Sequence, residues 1–308
     1  MESAVLFLTY KRYNTAKQVF ESIRKAKPPR LYFASNAPNP NITPELAEVQ
    51  KVRDLLATVD WDCEVTTLFR SDHLSVKESI SSAISWFFEH EEQGIILEDD
   101  CLPHQDFFTF CDALLKRYKN EVKVWVITGD NYQNNQIRGE ASYYFSRYNH
   151  VWGWASWRRA WENYSVDMNF WNEWKYSDSF KNYFNDPIEE KFWRRKFDDV
   201  LSGKIVTWDY QWTFCVFKNN GLTATPNKNL VTNIGFGPEA TNTTSEMQID
   251  TTTKALGKIT YTDKIIRNVE ADQFVFKTIF YDRSVFWPKR GIELFKIYLK
   301  KLLKKNNA

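Results

Sequence analysis

The sequence predicts an α/β protein: a mixed, mainly parallel sheet flanked by helices, with a helical appendage at the C-terminal end. Over the first half of the chain, short continuously apolar runs alternate with helical patterns, as in parallel sheets whose strands are buried on both faces. Three carboxylates follow directly on one of these runs, where an open parallel sheet binds its ligands. Toward the C-terminus, apolar and basic residues separate onto two sides of a helical wheel. At 308 residues the chain is long for one core. The expected division is a main domain over 1–255, in halves 1–135 and 136–255, followed by an extension over 256–308.

The elements follow in order. Ala4 to Thr9 reads as a strand, a polar turn follows, and Ala16, Val19, Phe20 and Ile23 align on one face of a helix. Pro28 and Pro29 stop that helix, and Arg30 to Ser35 gives a second strand. Val76, Ile80, Ala83, Ile84, Phe87 and Phe88 mark a helix that feeds the buried-type strand Gly94 to Leu97. A further helix, with Phe107, Phe110, Cys111, Leu114 and Tyr118 aligned, leads into the strand Lys123 to Thr128. Beyond about residue 140 the pattern becomes aromatic-rich loops and short strands, of which Lys204 to Trp208 and Gly221 to Thr225 are the clearest. No G-x-G-x-x-G or Walker pattern occurs, so neither a dinucleotide fold nor a P-loop is supported.

Composition narrows the function classes. Hydrophobic residues at 43% and charged residues at 26% exclude a mainly disordered chain. Aromatics reach 17%, with thirteen Trp, and such rings suit either a core or stacking on sugar and base faces. Net charge is +2, but Phe286 to Ala308 carries seven Lys or Arg against one Glu, which leaves the rest acidic and argues against a nucleic-acid binder. Cys63, Cys101, Cys111 and Cys215 show no CxxC spacing, which fits a reducing compartment. The N-terminal apolar run is too short for a signal or a span, so the cytoplasm is expected. From Lys289 onward, Ile292, Phe295, Leu299, Leu302 and Leu303 oppose Lys296, Lys300, Lys301, Lys304 and Lys305. That basic amphipathic helix suits peripheral contact with an anionic membrane face, or packing on this chain or on a second copy in a homo-oligomer.

The chemistry-bearing residues are Glu98, Asp99 and Asp100, which directly follow the run GIIL. Adjacent carboxylates repel unless a cation compensates them, and hard oxygen ligands suit Mn²⁺ or Mg²⁺ with a substrate diphosphate completing the shell. Asp209, between Trp208 and Trp212, is a candidate general base whose apolar setting would raise its proton affinity. Trp152 and Trp154 flank Gly153, where a small residue lets backbone approach a ligand while rings cover a sugar face, although the rings would serve a core equally well.

On these residues the chain resembles a known family. ILEDDCLP, 96–103, is similar to the aspartate motif of GT-A glycosyltransferases in its EDD form, as in the N-acetylglucosaminyltransferase I family and bacterial sugar transferases similar to it. FLTYKR (7–12), VWVITGDNYQ (124–133), VWGWASW (151–157) and WDYQW (208–212) resemble further family segments in the same order. The resemblance implies a metal-dependent, inverting transfer of a hexosyl or N-acetylhexosaminyl group from a nucleotide-sugar, a UDP-sugar being favoured, to a glycan or other hydroxyl acceptor. By position it implies Asp100 as direct metal ligand and Asp209 as base. Arg12, Lys77, Glu98, Asp99 and Asn131 would contact the donor, and Trp152, Gly153, Trp154 and Trp208 the acceptor. Three positions depart from the pattern: Ser35 and Asn36 stand where an acidic residue serves the base, Ser75 replaces a glycine, and Asn242 stands where a His is frequent. The rival readings are a nucleotide-sugar-forming nucleotidyltransferase and a non-catalytic carbohydrate-binding protein. The first would need a glycine-rich phosphate loop where this chain reads TYKRYN, and the second has no use for the acidic triad.

Overall fold

A computed structural model describes residues 1–184, 186–235 and 250–280. The first half runs β1 (Ala4–Thr9), α1 (Tyr13–Ala26), β2 (Arg30–Ser35), α2 (Glu45–Arg53), β3 (Glu64–Phe69), α3 (Val76–His90), β4 (Gln93–Glu98), β5 (Cys101–Pro103), α4 (Gln105–Arg117) and β6 (Val124–Thr128). Then come β7 (Tyr143–Ser146), β8 (Trp154–Trp157), the short helices α5 (Arg158–Trp161), α6 (Trp171–Trp174) and α7 (Asp178–Tyr183), then α8 (Pro187–Leu201), α9 (Asp209–Lys218), β9 (Leu222–Pro226), β10 (Val231–Asn233) and α10 (Val269–Val275).

The expected mixed, mainly parallel sheet is present. Eight strands lie in the order β3-β2-β1-β4-β8-β6-β9-β7, and β5 pairs with β10 in a separate two-stranded ribbon. Strands β3, β2, β1 and β4 pair in parallel, as do β6 and β9; β8 runs antiparallel between β4 and β6, and β7 antiparallel at the edge beside β9. Side chains alternate across each strand. Val5 and Phe7 join the core under α1 and α4, whereas Leu6 and Leu8 join an aromatic core under α3, α8 and α9. Both faces are therefore covered, which is why the central strands read as unbroken apolar runs.

Two features differ from the sequence reading. Lys204–Trp208 is not a strand: it is the connection between α8 and α9, and its β-prone residues are overruled by the helices on either side. The second half is also more helical than its aromatic content suggests. Residues 256–280, the described part of the expected extension, lie against the sheet, with Ser142 N–H donating to Thr260 O at 3.1 Å and Asn268 N–H to Phe145 O at 2.7 Å. Asp272 on α10, fully buried, accepts from Ser146 Oγ and from Arg267 Nε. The basic amphipathic helix and Asn242 lie outside the described residues. No helix among the described residues is long and apolar enough to cross a membrane.

Candidate active site

β1 and β4 are neighbours in parallel register, with Leu8 opposite Glu98, so their carboxyl ends open at one edge of the sheet. A cleft of about 870 Å³ lies there, lined among others by Tyr10, Arg12, Glu98, Asp99, Asp100, Trp152, Trp208 and Asp209. It also takes in Lys196 of α8, Asn233 at the end of β10 and Gly235 beyond it.

The carboxylates share one guanidinium. Arg12 Nη2 stands 2.6 Å from Asp99 Oδ1 and 2.9 Å from Asp100 Oδ2, while Asp99 Oδ2 accepts from the Tyr10 N–H at 3.1 Å. Burial raises the Asp99 carboxyl from 3.8 to about 6 in spite of that guanidinium; Arg12 pulls the other way and the neighbouring Asp100 adds to the rise. Glu98 is pushed well above the usual carboxylate range, first by burial and then by Asp100, Asp99 and Asp209. Glu98 and Asp209 keep some contact with solvent through the cleft, yet protein surrounds them on most sides. For Arg12, burial opposes the charge, but Asp99 and Asp100 hold its guanidinium above its ordinary value.

Asp209 is the first residue of α9. Thr207 Oγ1 donates to its Oδ1, and burial nonetheless raises its pKa above 3.8. Asp209 and Glu98, 111 positions apart in sequence, line the same cleft, and the Asp209 charge adds to the rise of Glu98 after burial, Asp100 and Asp99. Trp208 is held by stacking on Trp154, ring centroids 5.9 Å apart, and by Tyr164 Oη donating to its carbonyl at 3.2 Å. The Trp152 N–H donates to Asp130 Oδ2 at 3.0 Å.

The cleft gathers seven of the expected residues: Arg12, Glu98, Asp99, Asp100, Trp152, Trp208 and Asp209. Four others lie elsewhere. Lys77, at the start of α3, lines a separate cavity of about 120 Å³ behind Ile205 and Val206. Asn131 is buried, donating to Pro226 O at 2.6 Å and accepting from Gln133 N–H at 2.9 Å, so its amide serves the β6 loop. Trp154 is wholly buried in β8, where its ring belongs to the aromatic core. Gly153 has φ +74°, and a Cβ there would meet Val231 Cγ2 at 2.7 Å; the glycine serves a tight packing turn.

The sequence reading did not single out Glu45, Lys196, Thr207 or Gly235. Against the burial that would raise it, Lys11, Tyr10 and the Asn39 N–H hold the Glu45 carboxyl down at about 2, and this network pins the turn after β1 to α2. Only tertiary proximity reveals these roles. At the end of β2, Asn36 Oδ1 accepts from Ala37 N–H and Leu74 N–H at 3.0 and 3.1 Å, and its Nδ2 donates to Leu74 O at 2.9 Å.

Among the described residues no group of three or more His, Cys, Asp or Glu stands ready to chelate a metal unaided. The donor set still fits a hard divalent ion that brings its own ligands, because Glu98, Asp99 and Asp100 offer carboxylate oxygens to one cleft and a single guanidinium, that of Arg12, pairs with two of them. Asp100, partly exposed at the sheet edge, would hold such an ion, with phosphate oxygens and water completing the shell.

No protein-family model matches the chain, and no curated protein matches it. Solved structures with a similar trace include mouse xyloside xylosyltransferase 1, with a TM-score of 0.36 and 11% identity over 70% of this chain and 81% of that one. The glycosyltransferase GlyE of Streptococcus pneumoniae gives 0.34 and 11% over 73% of this chain and 45% of its own. The 4-diphosphocytidyl-2C-methyl-D-erythritol synthase of Anaerococcus prevotii gives 0.38 and 7% over 73% and 88%. Likenesses this distant carry no argument about function, which must rest on the cleft.

Proposed function

We propose that the chain is a divalent-metal-dependent glycosyltransferase of GT-A type, transferring a sugar from a nucleotide diphosphate to an acceptor hydroxyl with inversion. The observation that carries the reading is the meeting, in one cleft, of the acidic end of β4 with a second, separately held carboxylate at the start of α9. A binding module has no use for that second group.

In this reading Asp209 takes the proton from the acceptor hydroxyl as its oxygen attacks the anomeric carbon, and the sugar–phosphate bond breaks on the opposite face. Its raised pKa suits a base, since a carboxylate of higher proton affinity accepts a proton more readily. Trp152, partly exposed, offers ring surface to a sugar, the buried Trp208 backs the cleft beside it, and Glu98 and Asp99 orient the donor. A divalent ion on Asp100 would supply Lewis-acid stabilisation of the departing diphosphate. The acceptor class, UDP as the carrier, and attachment to an anionic membrane surface or to a second copy belong to the same proposal.

The test separates binding from chemistry. Asp209→Asn should keep metal-dependent nucleotide binding and lose transfer by roughly 10²–10⁴-fold, the span general-base catalysis supplies. Asp100→Asn should lose metal-dependent binding of nucleoside diphosphates measured by calorimetry. If Asp209→Asn instead loses nucleotide affinity and keeps its single-turnover rate, Asp209 is a binding residue and the mechanism fails.

A further inference from the structure

Arg12 stands where a cation reaches both Asp99 and Asp100, at 2.6 and 2.9 Å from a single nitrogen, Nη2. The other oxygen of Asp100 accepts from Cys101 Sγ at 3.3 Å. The pair is also boxed in by backbone, since a Cβ added at Gly235 would lie 2.4 Å from Asp100 Oδ2 and 2.7 Å from Arg12 Nη1. Both oxygens of Asp100 therefore already have partners, and one of those partners is charged. A bare divalent ion approaching this carboxylate meets a guanidinium on it, and two cations sharing one small anion repel. A diphosphate changes the balance. Its oxygens match the planar fork of an arginine and also supply ligands to a hard metal ion.

We propose that Arg12 is a resident counter-cation that keeps metal off Asp100 until a diphosphate arrives and takes over the guanidinium, so that metal and donor bind with strong positive coupling. The proposal rests on the glycosyltransferase reading above. No covalent bond is made or broken; Arg12 exchanges a carboxylate partner for phosphate oxygens. Because coupling is reciprocal, the metal must tighten diphosphate binding by the same factor.

The test uses the full chain and titrates Mn²⁺, following the paramagnetic resonance signal of the free ion, alone and with UDP, GDP, CDP, ADP or dTDP. The natural protein should bind Mn²⁺ weakly by itself and tightly with at least one diphosphate. Arg12→Met should bind Mn²⁺ alone more tightly, by roughly 5- to 150-fold, the usual range of coupling between sites, and should lose most of the diphosphate effect. Arg12→Lys keeps a charge but not the fork, and should fall between; it also decides the matter if the Met variant does not fold. Nucleotide-dependent Mn²⁺ binding in the natural protein, with unchanged or weaker binding of Mn²⁺ alone in the folded variants, overturns the proposal and leaves the reading of the site standing. Absence of Mn²⁺ binding in every protein with every diphosphate overturns the glycosyltransferase reading, and this proposal with it.

Discussion

At the scale of residues, the proposed chemistry would depend on a few atoms held by unlike means. Asp99 is fixed by a backbone N–H and a guanidinium, Asp209 by the start of a helix and a threonine hydroxyl, and Asp100 by the backbone crossing over it. The last of these is the least forgiving. Ile234 N–H donates to the Asp100 carbonyl at 2.8 Å and Gly235 N–H to Asn233 Oδ1 at 2.8 Å, so the strip cannot easily back away. Gly235→Ala should therefore push Arg12 and Asp100 out of register. The expected result is loss of metal-dependent nucleotide binding with a melting temperature within a few degrees of the natural protein, as calorimetry and thermal unfolding would read. Retained affinity would mean that the site tolerates the displaced carboxylate. Gly235 was invisible in the sequence because its constraint comes from Asp100, in the turn after β4, and Arg12, in the turn after β1.

At the scale of elements, stability and site are joined through aromatic side chains. Trp154 of β8 is wholly buried and packs on Trp208, Trp161 and Trp212 at 5.8 to 6.0 Å between centroids, so it supports the loop that carries Trp208. Trp154→Ala should cost about 3–5 kcal/mol, as removal of a buried aromatic ring does, whereas Trp152→Ala should cost much less stability and more acceptor affinity. Chemical denaturation and acceptor titration distinguish them; equal losses of stability would make Trp152 a core residue. The elements that the sequence revealed are those whose cause is local. β1, β2, β4 and β6 are buried on both faces and spell continuous apolar runs, and the three carboxylates that begin at the last residue of β4 are adjacent in sequence. Ser75, one of the departures from the family pattern, is explained by the capping box it forms with Glu78 at the start of α3. β3 escaped notice because it is an edge strand with alternating exposure, and Lys204–Trp208 misled because β-prone residues fill a connection between two helices.

At the scale of the whole molecule, the cleft joins strands β1 and β4 to α9 of the second half, and gathers the carboxylates of Glu98, Asp99, Asp100 and Asp209, two of them paired with Arg12. Such a site stores electrostatic cost, and pH should expose it. The Asp99 carboxyl rises from 3.8 to about 6 on folding because it is buried. A group that binds its proton more tightly in the folded state contributes stability that is present below about pH 3.8 and lost as pH rises through about 6. His150 acts in the opposite sense: burial lowers it from 6.5 to about 3, so its contribution is present above about 6.5 and lost as pH falls. The two windows overlap, and the pH profile of the natural protein alone does not separate them. A difference between two proteins does, because His150 is common to both. Asp99→Asn imitates the protonated acid and leaves Arg12 paired with Asp100. The ligand-free variant should therefore be more stable than the natural protein at about pH 7.5 and equal to it at about pH 4, with the difference growing between those limits. Guanidinium unfolding at a series of pH values measures this. A shift of the same size at every pH would show that the substitution acts through packing, and would remove the buried charge of Asp99 as a cost of folding.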